Sequence, residues 1–352
     1  MLAGMMMRAI ASRGIVKIGG THAIADPNAI GDIAVNDRAE FGRCRGLLGA
    51  VDLADVTQLG TLCQPDDTYV TIVEDEIRIL LRSICLTCTG GISDDAFDAN
   101  VVGRDAAGHL AMRTILAPAI FDVGAMHANV EAVIRAAFKR HLVGIVPAWC
   151  RPNDDLDVTF ARLRSAVMDI ACPTAIPSAL CPDERTRAFI ALWVRRASSL
   201  AASIAWMLCD WAGGSASTSL SDRGLAESVL LEHPPLWWFA RTALRRCLVG
   251  CAPIQRGGGI TTFPYHEIGE GDVVICLPAA GSNCNVRSTT LSTCAAPCPT
   301  QAFTTFMVET LARLLREQRV ALSPAVGSSF RPTFGAVMHP ERPLLVPHHV
   351  QA

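Results

Sequence analysis

Charge is scarce in this 352-residue chain. Asp, Glu, Lys and Arg make up 18% of it, and the formal net charge is −2. A protein that binds nucleic acid concentrates positive charge against phosphates, so this balance carries no footprint for DNA or RNA. Hydrophobic residues reach 50%, which excludes a disordered chain. Long apolar runs are also missing. Mean hydropathy is +0.31, yet no uninterrupted run approaches the ~20 residues that a membrane span needs. The opening MLAGMMMRAIA is apolar but short, Arg8 and Arg13 interrupt it, and it lacks the cleavage pattern of a secretory leader. The expectation is a cytoplasmic protein without a membrane span. A chain of this length buries roughly three quarters of its surface, enough for one large core or two ordinary ones.

Paired cysteine motifs are nearly absent too. There are fourteen cysteines, but a long cytoplasmic chain is a poor setting for a disulfide framework. Cys85-Leu-Thr-Cys88 has zinc or redox spacing. No second pair follows and no His lies nearby, so a four-ligand zinc site lacks its other half. Most of these thiols read as small buried hydrophobes.

Along the chain, residues 14–25 alternate around Gly19-Gly20 and predict a hairpin. Asp26-Pro27 then opens a helix. EDEIRILLRSICL predicts another helix, as do residues 106–121 up to Pro118, residues 124–143, and Asp157 to Ala171. The segment 145–155 reads as a loop and residues 172–184 as a proline-punctuated connector. One long helix is expected from about Arg185 to Trp211, ended by Gly213-Gly214. A helix over 222–232 stops at Pro234-Pro235, short strands fill 238–277, and 278–297 is irregular. A last helix runs from Pro299 to Gln318, and turns and short strands follow from 320 to 350. No internal repeat is present. Helices outnumber strands, and the strands come in local hairpins, so the expected class is mainly α with small β-sheets.

Three motifs carry chemistry. His109 and Arg113, at i and i+4, share one helix face. They suit a bound carboxylate or phosphate, and equally a solvated polar pair. Arg241 lies in the apolar stretch LWWFARTA and needs a partner, which could be a bound anion or an acid across the sheet. Cys298 directly precedes a helix whose first residue is Pro299. The helix dipole and free amides there favour a thiolate, which can ligate iron. A buried structural cysteine is the bland alternative.

Taken in order, these motifs resemble the cytochrome P-450 family. GIVKIGGTHAIADPNAIGDIAV looks like that family's first hairpin and following helix, GHLAMRTILAPAIF like its helix C, and ASSLAASIAWML like its central helix I. HPPLWWFARTA resembles the end of helix K and the next strand. YHEIGEGDVVICLPAAGSN resembles the strand pair after it. APCPTQAFTTFMVETLARLL resembles the ligand loop with helix L, and FRPTFGAVMHPERPLLV the closing β-structure. The resemblance implies a single domain over residues 1–352. Residues 14–60 would hold the hairpin and first helices, 100–232 the helical core, and 233–350 the ligand loop and β-structure.

The resemblance also implies heme b, with Cys298 as axial thiolate and His109, Arg113 and Arg241 on the propionates. Ser199 would stand for the oxygen-activating Thr, and Ser198 for the neighbouring acid. The family's Glu-x-x-Arg is missing: Ser228 and Leu231, or Glu227 and Leu230, occupy the places. Leu291, Cys294 and Thr300 replace the ligand loop's Phe and two Gly. Arg195-Arg196 replace Ala-Gly on helix I, and the lid between helices F and G is shortened. The implied activity is a heme-thiolate monooxygenase of a small organic, apolar or secondary-metabolite substrate, fed by a ferredoxin and its reductase. A peroxide-dependent peroxygenase, with Arg195 or Arg196 holding a substrate carboxylate, and a degenerate non-catalytic protein remain alternatives.

Overall fold

The structure is a computed structural model of the whole chain. It describes residues 14–35, 40–43, 67–89, 96–114, 123–142, 156–168, 181–193, 197–214, 220–234, 239–250, 254–256, 259–261, 265–277, 299–334 and 337–348. Two compact units interleave along the sequence instead of following one another. One contains Met1–Val51, Ala136–Asp154 and Leu236–Cys298; the other contains Asp52–Arg135, Asp155–Pro235 and Pro299–Ala352.

The first unit is built on β1 (Ile15–Ile18), β2 (Thr21–Ile24), α1 (Pro27–Val35) and β3 (Phe41–Arg43). The expected hairpin forms, with Gly19 turning at a φ of 59° that favours glycine. Asp26 opens α1 by accepting a hydrogen bond from the Ala29 amide at 2.8 Å. The remaining strands are β5 (Phe239–Ala243), β6 (Cys247–Val249), β7 (Ile254–Arg256), β8 (Gly259–Thr261), β9 (His266–Ile268) and β10 (Val273–Cys276). A five-stranded sheet runs β1-β2-β10-β5-β3, with β10 parallel to β2 and antiparallel to β5. Ile24, Ile30, Ile33, Phe41, Val274 and Cys276 close its core.

The second unit is helical. It holds α2 (Asp67–Thr89), β4 (Phe97–Asp98), α3 (Ala99–Thr114), α4 (Val123–Leu142, whose last residues fall in the first unit), α5 (Leu156–Met168), α6 (Pro182–Trp193), α7 (Ser199–Ala212), α8 (Asp222–Glu232) and α9 (Pro299–Glu317). The closing strands are β11 (Ala321–Pro324), β12 (Ser329–Phe334), β13 (Met338–Arg342) and β14 (Leu344–His348). α7 is buried over its whole first eleven residues, from Ser199 to Cys209, as a helix apolar on all sides must be. It packs on α3 so closely that a Cβ on Gly103 would lie 2.6 Å from the Ala201 carbonyl oxygen. Two indoles tie it to strands: Trp206 Nε1 donates to Met338 O at 3.0 Å, and Trp211 Nε1 to Val320 O at 2.9 Å.

The class is as expected, mainly α with small sheets. One boundary differs. α3 begins at Ala99, seven residues before the expected start, because Asp98 Oδ1 takes the Asn100 amide at 2.8 Å and caps the helix there. Within the span of the single helix expected over 185–211 the structure describes α6 and α7, with Ala197-Ser198 forming a π turn directly ahead of α7; residues 194–196 lie outside the described residues. No described helix is long and apolar enough to cross a membrane.

Candidate functional site

α9 begins at Pro299. Pro has no amide to leave unsatisfied, and its fixed φ suits a first helical position. The next residues inward, Phe303, Thr304, Met307 and Val308, are buried, so this end of α9 is anchored in the core. Cys298 is the residue immediately before it, and lies outside the described residues, as do Cys294, Leu291, Arg195 and Arg196. In general, the free amides and positive end of a helix favour a thiolate. The described cysteines differ in kind. Burial pushes the Cys209 thiol well above its ordinary value, and the nearby Asp210 carboxylate adds to this. Burial likewise raises that of Cys247. Both are held as neutral thiols.

Arg241 occupies the middle of β5, opposite Val274 of β10 and Arg43 of β3, and is half-buried. It belongs to the same unit as Cys298. A guanidinium on a sheet strand is a donor of the kind that suits a carboxylate such as a heme propionate.

His109 and Arg113 lie on α3 in the other unit, and both are exposed. Arg113 already has a carboxylate: its Nη1 is 2.6 Å from Oε1 of Glu76, an acid on α2 with only 8% of its side chain exposed. The carboxylate beside Arg113 is thus one of the protein's own.

Ser198 and Ser199 are buried at the π turn. The Ser203 hydroxyl donates to the Ser199 carbonyl at 2.8 Å. Ser198 Oγ lies 3.4 Å from His127 Nδ1, an atom that also accepts from Trp193 Nε1 at 3.4 Å. Burial, aided by the charge of Arg104, lowers the His127 pKa to about 4. Its Nε2 is buried with no hydrogen-bond partner among the described residues. Sequence reading missed His127. It comes from α4, 71 positions from Ser198, and no spacing rule links them.

A second polar chain crosses the sheet of the first unit. The fully buried His22 places Nε2 2.7 Å from Asp272 Oδ2 and Nδ1 2.7 Å from His266 Nε2. The hydrogen bond from His22 holds the Asp272 carboxyl below its usual range, while burial and His22 lower His266.

No protein-family model matches the sequence, and no curated protein matches it. Solved structures do. The chain is similar to CYP175A1 from Thermus thermophilus, at TM-score 0.66 and 13% identity, over 99% of this chain and 95% of that one. It is similar to a mutant cytochrome P450DA heme domain, at 0.64 and 12%, over 99% and 91%. A six-coordinated cytochrome P-450 from a second strain of Thermus thermophilus gives 0.62 and 14%, over 97% and 98%. Across nearly its whole length, then, the chain has the fold of the cytochromes P-450.

Proposed function

We propose that this protein is a heme-thiolate oxidoreductase that oxygenates a small organic molecule, with residues 1–352 working as one cytochrome P-450-like domain. The observation that carries the reading is the position of Cys298, directly before Pro299, the first residue of α9, in a chain of this fold. Heme, once bound, supplies an iron on which thiolate ligation favours O–O cleavage. The chain's own residues do the rest. Cys298 provides the sulfur, and the helix end keeps it deprotonated. Arg241 neutralises a propionate. Ser198 and Ser199 are the hydroxyls assigned to proton handling, with the neutral imidazole of His127 within reach of Ser198. His109, exposed, and Arg113, engaged by Glu76, are left out of the heme set. A ferredoxin and its reductase are the proposed electron donors.

The test is the absorption spectrum of the purified protein, made with heme available. The ferrous carbon monoxide complex is expected to show the red-shifted Soret band of thiolate ligation. Cys298→Ala abolishes it and Cys294→Ala keeps it. The reverse pattern moves the ligand to Cys294. A protein that takes up no heme overturns the reading.

A further inference from the structure

The C-terminal ends of α7 and α8 bring three ligand types to one place. Asp210 lies in the last turn of α7, Glu232 closes α8, and His233 follows it. One ligand atom from each lies within 4.8 Å of the others. His233 Nε2 is 3.5 Å from Asp210 Oδ1. That is long for a hydrogen bond. It is close to the roughly 3.3 Å between neighbouring ligands of a tetrahedral ion with bonds of about 2.0–2.1 Å.

The imidazole is held in position. It stacks on Trp206 with ring centroids 3.7 Å apart and planes 5° from parallel. Trp206 is itself buried and hydrogen-bonded to Met338 O. Asp210 and His233 are each about one-fifth exposed, and Glu232 is exposed at the rim of the cluster. Among the described residues, neither carboxylate is paired with a Lys or Arg. Two acids and an imidazole thus face one another with no cation between them.

We propose that Asp210, Glu232 and His233 form a binding site for a divalent transition-metal ion of the Zn2+ class, which clips the end of α7 to the end of α8. One imidazole nitrogen with two carboxylates suits such an ion. Mg2+ and Ca2+ prefer oxygen ligands throughout. Three protein ligands and an exposed side leave a fourth position for water. The site is independent of the heme reading.

The experiment uses the full chain, stripped with a chelator and dialysed against graded Zn2+, with bound metal counted per chain. Cysteines elsewhere can also hold zinc, so the readout is the difference between proteins. Asp210→Asn, Glu232→Gln and His233→Gln are each expected to lose one equivalent, or to bind it at least tenfold more weakly. Glu232→Gln alters only an exposed side chain, so its effect is not a folding defect. Zn2+ should raise the thermal midpoint of the unsubstituted protein and leave that of His233→Gln unmoved. An equal zinc count in all four proteins, or Mg2+ binding as tightly as Zn2+, overturns the proposal.

Discussion

His127 illustrates what burial does to one side chain. Its pKa falls from 6.5 to about 4, because burial penalises the imidazolium and Arg104 repels it. Between those values the unfolded chain holds a proton that the folded chain does not. Stability from this residue is therefore complete above pH 6.5 and is lost as pH falls toward 4, amounting to about 3 kcal/mol. His339 works the other way. Burial, the largest single cause, lowers its pKa, but Glu131 and the Pro340 carbonyl together outweigh it and raise it, so its contribution is lost as pH rises. The clean measurement is consequently a difference. Urea midpoints of the unsubstituted protein and of His127→Phe, from pH 4 to 7.5, should converge at low pH. Parallel curves would show that His127 does not titrate in this window. None of this was legible beforehand, because a polar residue on an amphipathic helix reads as solvated until its neighbours from α6 and α7 are known.

At the scale of elements, local chemistry explains what the sequence could and could not show. The helix over 222–232 is readable to the residue, since Ser221 caps it by accepting the Gly224 amide at 3.1 Å and Pro234 stops it. The π turn at Ala197-Ser198 was not readable, because no Gly or Pro marks it. The α3–α7 crossing was equally hidden, since it depends on which face Gly103 presents. Gly103→Ala would drive a methyl into a backbone oxygen that cannot move aside, and should destabilise the protein by about 1–3 kcal/mol. Gly31→Ala, in α1, meets nothing within 4 Å and should gain about 0.5–1 kcal/mol from helix propensity. Thermal melts of the two variants should shift in opposite directions. A shift of the same sign in both would mean that propensity, not contact, governs Gly103.

For the whole molecule, the order of motifs made the fold readable. The pairing of Arg113 with Glu76, 37 positions away, was not readable, because no spacing rule links them. The first unit is assembled from three separated stretches of chain, so removing one should open it without melting the helices. A chain lacking residues 1–26 loses β1, β2 and His22. It should keep near-native helical circular dichroism while residues 239–277 become the first site of limited proteolysis. Simultaneous loss of helicity would show that the units unfold together. The pairing of β2 with β10 also sets a clock on synthesis. His22 and Asp272 are 250 residues apart, and at about 5–20 residues per second the hairpin waits roughly 12–50 s for its partner to be translated. A two-stranded hairpin is marginal by itself, and an open edge invites pairing with other chains. Soluble yield should thus respond more to cooler growth or a co-produced holding chaperone than to any added stability in the helical core.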